Sequence, residues 1–183
     1  MVEFIIFSRT ARTDSSFTNL REAGRMDLIY QTILTSMFVS HGIRKDVVFH
    51  GILNGPPHPP LHLQVDGAEL HDVRVDEATW TQILQNVLNG EKHPGITLDK
   101  KGFHQIIDEK SEVYVLEESG ENIKDVAFGA NPVFVIGDQV GLPKKEEDWI
   151  LRKAKKISLG KQLYLAMSCI DIINYILDAR SKK

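Results

Sequence analysis

The chain has 183 residues, 42% hydrophobic and 26% charged, which is an ordinary composition for a globular protein with one core. A net charge of −3 does not by itself indicate nucleic-acid binding, and the single cysteine, Cys169, excludes an intrachain disulfide and a cysteine-rich zinc site. Apolar stretches are too short for a membrane span, and the amino terminus lacks signal-peptide features, so we expect a cytoplasmic protein.

The first half of the chain predicts alternating strands and helices. EFIIFSRTA indicates a buried strand, and a long polar loop follows it. A helix is then predicted from the apolar face formed by Met26, Ile29, Tyr30, Ile33, Met37 and Phe38. We expect Gly42 to end this helix, and DVVFHGIL to form the next strand. The four prolines of NGPPHPPLHL exclude a helix and favour a rigid turn before a strand. Asp76 is placed to cap a helix that ends at Gly90, and KKGFHQIIDEK predicts a shorter one.

The second half has the pattern of an α/β protein. EVYVLEESG, NPVFVIGDQVGLP and KKISLG predict strands with glycine-containing loops, and KQLYLAMSCIDIINYILDAR predicts a final helix. The continuous apolar runs at 113–116 and 133–136 are typical of parallel strands covered on both faces. We therefore predict a mostly parallel central sheet flanked by helices. The final helix is apolar on two sides, so it either lies deep in the fold or, as we favour, also packs against a second subunit.

Three of the predicted strands end in loops at 116–120, 136–141 and 157–160. Ligands of open parallel sheets bind beyond the carboxyl ends of the strands, where glycine allows a close approach to the backbone. No loop matches G-x-G-x-x-G, and SLGKQL departs from the P-loop pattern, so a polyphosphate cofactor is not expected. Apolar side chains and free backbone groups would instead suit a ligand with an adenosine end and no phosphate.

Two sets of motifs resemble a known family. The order GDQVGLP, KISLG and QLYLAMSCIDIINYIL is similar to the carboxyl half of the SPOUT methyltransferases, whose loops form a trefoil knot that binds S-adenosylmethionine. The amino half, with GRMD and NGPP, closely resembles the archaeal tRNA (pseudouridine(54)-N(1))-methyltransferases. The resemblance implies one SPOUT domain over 1–183, with the substrate side in the amino-terminal half and the knotted cofactor half at about 111–183. It also implies a homodimer.

The resemblance further implies a cofactor and a reaction. The family's S-adenosylmethionine pocket falls here on Leu116, Gly137, Ile157, Ser158, Leu159, Gly160, Leu163 and Cys169. The implied reaction is methyl transfer to N1 of pseudouridine 54 in the tRNA T-loop. It requires an aligned nucleophile and the loss of a proton. A ring nitrogen needs no covalent enzyme intermediate, so we interpret Cys169 as a packing residue of the pocket wall.

Candidate substrate residues lie in the first half. Asp27 is our candidate base or hydrogen-bond acceptor, and Arg25 is placed to hold the base carbonyls or a phosphate. The simpler interpretation of Asp27 is a carboxylate favoured at a helix N-terminus. Arg9 and Arg12 are candidate phosphate contacts, and Asn54 a candidate wall of the base pocket, although surface charge and a tight turn explain them as well.

Three further inferences limit the chemistry. The residue after Gly-Asp is often histidine in the superfamily but is Gln139 here, so we expect no acid or base at that position. His58 and His62 have a four-residue spacing, but the prolines between them exclude the helix that a metal pair would need, so no metal is expected. Two alternatives remain: a pseudouridine N1-methyltransferase acting on ribosomal RNA, and a non-catalytic RNA-binding factor of ribosome assembly. The compact chain argues against the first alternative, and the glycine-rich loops argue against the second.

Overall fold

A computed structural model describes residues 1–180, so the last three residues of the predicted domain lie outside the described part. Its strands are β1 Val2–Ser8, β2 Phe38–Val39, β3 Gly42–Ile43, β4 Val47–Leu53, β5 Leu61–Asp66, β6 Ile96–Asp99, β7 Val113–Asn122, β8 Val133–Gly137 and β9 Lys155–Ser158. Its helices are α1 Met26–Met37, α2 Glu77–Leu88, α3 Phe103–Asp108, α4 Lys144–Ile150 and α5 Ala166–Arg180. In this part of the chain, no helix is long and apolar enough to cross a membrane.

One mixed sheet joins both halves of the sequence. Its seven strands have the order β6-β5-β4-β1-β8-β7-β9. The five strands from β4 to β9 in this order pair in parallel, whereas β5 and β6 are antiparallel and form one edge. The predicted mostly parallel α/β sheet is therefore confirmed. Because β1 lies between β4 and β8, its carboxyl end is surrounded by the ends of other parallel strands.

Strand β1 shows why both faces of the sheet are covered. Phe4 and Ile6 point into the larger core cluster, which α1, α2 and α5 cover, while Ile5 and Phe7 point into a smaller one with α3 and α4. All four side chains are buried. Burial on both faces is what the continuous apolar runs predict, since each strand must be apolar on both sides.

Two predicted helix boundaries are wrong. Helix α1 ends at Met37, and Gly42 lies in the β2–β3 hairpin instead of ending the helix. The last helix begins only at Ala166, so the segment 161–165 is irregular and the predicted helical position of Leu163 is corrected. By contrast, the Asp76 cap is confirmed, since its carboxylate accepts a hydrogen bond from the Thr79 backbone N–H at 2.8 Å.

A buried chain of polar groups crosses four neighbouring strands. His50 Nε2 lies 2.7 Å from Glu3 Oε2, His50 Nδ1 lies 2.9 Å from His62 Nε2, and His62 Nδ1 lies 3.2 Å from Asp99 Oδ1. Lys110 also donates to Glu3. The chain of contacts thus links Glu3 of β1 to Asp99 of β6 through histidines of β4 and β5.

The chain makes stability depend on pH. Burial, and then the charge of His50, lowers the pKa of His62 from 6.5 to about 4. Burial alone would raise the pKa of Glu3, but hydrogen bonds and charges from His50 and Lys110 outweigh it and lower this pKa to about 2. For both groups the unfolded chain binds protons more readily than the folded chain. Stability is therefore present at neutral pH and is lost in acid.

We expect the free energy of unfolding to fall by about 3 kcal/mol, for the His62 contribution alone, as the pH drops from the unfolded to the folded pKa of His62. His62→Gln should be less stable at pH 8 but should lose less stability over this pH range, because glutamine does not titrate. Urea unfolding at a series of pH values measures this, with His71→Gln at an exposed position as the control. Equal pH slopes in wild type and His62→Gln would contradict the prediction.

Candidate active site

A cavity of about 560 Å³ opens at the carboxyl ends of β8 and β9 and beside the middle of β7. Its size lies within the range of roughly 300–1,000 Å³ found for small-molecule sites. The loop 137–142, which we call the cofactor loop, forms one wall, and the segment from β9 to the start of α5 forms another. The three segments singled out in the sequence therefore contribute to one site, although the predicted loop at 116–120 is wrong, because this segment is part of β7, which continues to Asn122.

The cavity gathers most of the predicted cofactor residues. Seven of the eight line it, namely Leu116, Gly137, Ser158, Leu159, Gly160, Leu163 and Cys169. The eighth, Ile157, is only 1% exposed and lies in the core beneath, so it supports the wall without lining it. Leu163 is 72% exposed at the rim. The geometry thus brings the predicted set together, with the exception of Ile157.

Glycine at position 137 is required by the loop itself. A Cβ atom at Gly137 would lie 2.5 Å from the backbone of Gly141 and Leu142, closer than real Cβ contacts come. The loop therefore folds back on the end of β8. Asp138 fixes this turn, because its side chain accepts a hydrogen bond from Val140 N–H at 2.9 Å and its carbonyl accepts one from Gly141 N–H at 3.0 Å.

The cavity lining is acidic. Among the described residues that line it, none is lysine, arginine or histidine, and the acidic ones are Glu117, Glu118, Asp138 and Glu147. Burial, followed by the charge of Glu147 and a hydrogen bond to it, raises the pKa of Glu117. Glu117 directly follows Leu116 on the strand, so the strand-end argument could have found it. Glu147 could not be found this way, because no helix was predicted at 144–150.

Arg25 and Asp27 form one rigid pair at the start of α1. Arg25 Nε donates to Asp27 Oδ1 at 2.9 Å, and Arg25 Nη2 donates to Oδ2 at 3.0 Å. The Asp27 side chain is only 15% exposed. These hydrogen bonds raise the pKa of Arg25. Neither residue lines the cavity, so the predicted catalytic pair and the predicted cofactor residues form two separate groups in one chain.

A short link joins these two groups at the end of β1. The Arg9 backbone N–H donates to Asp138 Oδ2 at 3.0 Å, and Thr10 Oγ1 donates to the Gly24 carbonyl at 2.7 Å. Gly24 packs so closely that a Cβ atom there would lie 1.7 Å from the Thr10 carbonyl oxygen, and its φ is +66°. The glycine of GRMD thus fixes the segment that carries Arg25 and Asp27 against the end of β1.

The other predicted substrate residues lie beside this link. Arg12 is held locally, since its Nε and Nη2 donate to the two Asp14 oxygens at 2.7 and 2.9 Å. Asn54 follows β4, and its N–H donates to the Ser8 carbonyl at 2.9 Å. Its side chain lines a separate small cavity of about 260 Å³, and its buried Nδ2 has no hydrogen-bond partner among residues 1–180. Arg9, Arg12 and Asn54 therefore surround the same sheet edge, outside the cofactor cavity.

The remaining candidates contribute no reactive group. Cys169 is 8% exposed, and burial raises the pKa of its thiol to about 11. His58 is exposed, and His62 belongs to the buried chain described above. Over residues 1–180, no group of three or more histidine, cysteine or acidic side chains is arranged to hold a metal ion.

The sequence is similar to known proteins over nearly its whole length. A family model described as "Putative SAM-dependent RNA methyltransferase" matches residues 1–181. The chain belongs to this family. Similar proteins include the tRNA (pseudouridine(54)-N(1))-methyltransferase of Methanocella arvoryzae, 34% identical over 98% of this chain and 100% of that protein. The protein of the same name from Methanocaldococcus jannaschii is 34% identical over 98% of each chain.

A solved structure agrees at the level of the fold. Archaeoglobus fulgidus Nep1, crystallised with S-adenosylhomocysteine, aligns with a TM-score of 0.60 at 13% identity, covering 85% of this chain and 71% of that one. The predicted SPOUT fold of this methyltransferase family member is confirmed at that level. The trefoil knot stays a prediction.

The cavity also fits the cofactor that the family description names. S-adenosylmethionine carries a permanent positive charge on sulfur, and an acidic lining without basic side chains suits a cation. The cavity also has apolar side chains, such as Leu116 and Leu142, and exposed loop backbone. Both suit an adenosine group that carries no phosphate. In this methyltransferase the lining residues would hold the cofactor at the sheet edge next to β1.

We expect Cys169 to react slowly with iodoacetamide in the folded protein up to about pH 9, because the thiolate is the nucleophile and is scarce below the pKa. S-adenosylhomocysteine should slow the reaction further, since Cys169 lines the cavity. Mass spectrometry of native and urea-unfolded protein measures both rates. Rapid alkylation of the native protein at pH 7 would show an accessible, activated thiol and contradict this assignment.

Proposed function

We propose that this protein transfers the methyl group of S-adenosylmethionine to N1 of pseudouridine 54 in the tRNA T-loop. The observation that carries the proposal is the similarity to proteins of that named activity, at 34% identity over 98% of the chain. The site supports it, because a cavity suited to the cofactor and a carboxylate–guanidinium pair are linked through the end of β1. We propose that residues 1–183 form one enzyme domain. Its cofactor-binding residues would lie in the carboxyl-terminal half, from about position 111.

The proposed chemistry depends mainly on positioning. When bound, the cofactor supplies an electrophilic methyl group on a sulfonium centre. The nucleophilic nitrogen must lie about 3 to 3.5 Å from that methyl group and in line with it. Arg25 would donate hydrogen bonds to a base carbonyl, and the Asp27 carboxylate would accept the N1 proton. Because Arg25 already binds both Asp27 oxygens, the substrate would share this pair and not meet a free base.

The substrate side would extend over the neighbouring surface. Arg12 would contact the RNA backbone, and Asn54 would face the base, since its Nδ2 has no partner among the described residues. T-loop bases must leave their stack to reach such a site. Because tRNA and the cofactor are found in the cytoplasm, we propose that the protein acts there.

We also propose a homodimer. Large apolar side chains are exposed around the cavity and on α5, namely Val140, Leu163, Tyr164, Leu165 and Tyr175. The second apolar face predicted for the final helix is largely covered within the chain, since Cys169 and Ile176 are buried, whereas Tyr175 is 75% exposed. Contiguous exposed apolar surface is typical of a protein interface. A partner subunit there would cover the rim of the cofactor cavity.

The methyl-transfer reaction tests the proposed function directly. Label from radioactive S-adenosylmethionine should enter a tRNA transcript with pseudouridine at position 54 and not one with uridine there. Asp27→Asn should reduce turnover by about 100-fold, in the range of lost acid–base catalysis, while cofactor affinity changes less than about twofold. Glu22→Gln, an exposed neighbour, is the matched control.

Other outcomes would redirect the assignment. Equal labelling of both transcripts would exclude N1 of pseudouridine as the acceptor. Cofactor binding with no label on either transcript would favour ribosomal RNA, or a non-catalytic role if ribosomal RNA is also inert.

The acidic lining leads to a second test. We expect Glu117→Gln to weaken S-adenosylmethionine binding about threefold or more, and S-adenosylhomocysteine binding less, because only the former carries the sulfonium charge. Titration calorimetry without RNA measures both affinities. Glu121→Gln, on the same strand but outside the cavity, should leave the ratio unchanged. An unchanged ratio in Glu117→Gln would show that this carboxylate does not face the sulfur.

A further inference from the structure

Arg9 contacts the cofactor loop through two different groups. Its backbone N–H donates to Asp138 Oδ2 at 3.0 Å, near the start of the loop. Its side-chain Nη2 donates to the Gly141 carbonyl at 2.8 Å, near the end of the loop. Arg9 directly follows β1, the middle strand of the seven-stranded sheet. One residue at the end of a central strand therefore contacts both ends of the loop.

The acceptor of the first bond is itself fixed. The Asp138 side chain is 1% exposed, and its other oxygen accepts the Val140 N–H at 2.9 Å. Arg9 Nε lies 4.0 Å from Asp138 Oδ1, so the guanidinium also provides a positive charge close to this buried carboxylate. A buried carboxylate needs such partners, because burial without them is costly.

The Arg9 guanidinium is poorly placed to bind RNA. Its side chain is 35% exposed, and its Nε is buried without a hydrogen-bond partner among the described residues. Its Nη2 is already used by Gly141. A phosphate contact would have to break the bond to the loop or use the small part of the group that remains accessible.

We propose that Arg9 is a positioning residue that holds the cofactor loop in its binding conformation, and that it is not a phosphate contact. The proposal rests on the proposed function for the identity of the ligand. Glycine permits many backbone conformations, so a loop that contains Gly137 and Gly141 would lose entropy on binding if its end were not held by Arg9. The hydrogen bonds from Arg9 order the loop during folding, so this conformational entropy is already lost before the cofactor binds.

The test compares Arg9→Ala and Arg9→Lys with Arg12→Ala, a control in the same segment whose side chain pairs only with Asp14 in the described structure. Affinity for S-adenosylmethionine and S-adenosylhomocysteine is measured by calorimetry without RNA, and affinity for the T-loop RNA is measured at several salt concentrations. Thermal unfolding checks that each variant is folded.

Arg9→Ala should bind both cofactor forms about tenfold more weakly, as expected for the loss of a hydrogen bond from a charged group. Arg9→Lys should recover part of this affinity, because lysine can donate to one carbonyl. At saturating cofactor, turnover of Arg9→Ala should return close to the wild-type value, which a general structural defect would not allow. The salt slope of RNA binding should match wild type in Arg9→Ala.

Unchanged cofactor affinity in Arg9→Ala, together with a flatter salt slope, would overturn the proposal and make Arg9 a phosphate contact. Failure of the proposed function would appear differently, since wild type itself would then bind cofactor without methylating pseudouridine RNA, or would bind no cofactor. In the first of these cases the binding comparison between wild type and Arg9→Ala still decides the role of Arg9, and in the second case both proposals fail.

Discussion

The parallel register of β1 with both of its neighbours is the constraint on which the site depends. Ser8 lies opposite Leu53 of β4, and Phe7 lies opposite Gly137 of β8. Parallel strands end at the same edge, so the residues that follow them, Arg9 and Asn54 among them, are brought to one level. A slip of one residue would turn Phe7 away from its core and would also separate Arg9 from the cofactor loop.

The loops at this edge are held by hydrogen bonds between loops as well as by apolar side chains, such as Phe17 and Leu20, that reach the main core. Thr13 is an example. Its backbone N–H donates to the Pro56 carbonyl and its hydroxyl donates to the Gly55 carbonyl. The same hydroxyl oxygen accepts from the His58 N–H at 2.8 Å. Buried backbone groups must find partners, and here each loop supplies those of another. The site is therefore built from segments far apart in sequence, and damage to one loop affects its neighbours.

Most of the framework could be predicted from the sequence because it depends on local pattern. The strands β1, β4, β7 and β8 have continuous or alternating apolar runs, and the α2 cap requires only Asp76. The wrong boundaries follow from tertiary contacts. The segment 161–165 has helical spacing, yet Leu163 and Tyr164 line the cavity wall in an irregular conformation. Helix α4 was missed because its charged sequence buries only Ile150.

Most residues of the cofactor cavity could be predicted for a similar reason, because they follow from local pattern. The charge distribution in the cavity could not be predicted. Strand ends and glycines locate Leu116, Gly137 and Gly160 from sequence, but the pairing of Glu117 with Glu147 requires knowing that α4 lies across the cavity. The role of Arg9 was also beyond sequence reasoning. An arginine after a strand in a polar loop has the pattern of a phosphate contact, and only the fold places its Nη2 at the Gly141 carbonyl.

The arrangement explains how a methyl transfer site can work without a strongly activated side chain. Cys169 is kept protonated by burial, Gln139 cannot titrate, and Asp27 is bound by Arg25. The chain instead provides two carboxylates, Glu117 and Asp27, whose neighbouring charged groups differ. Glu117 lies beside another carboxylate, and Asp27 lies beside a guanidinium. The first suits a cationic ligand, and the second suits a neutral base with both donors and an acceptor. The division matches the two reactants of the proposed reaction, and the short link through Arg9 and Thr10 sets their separation.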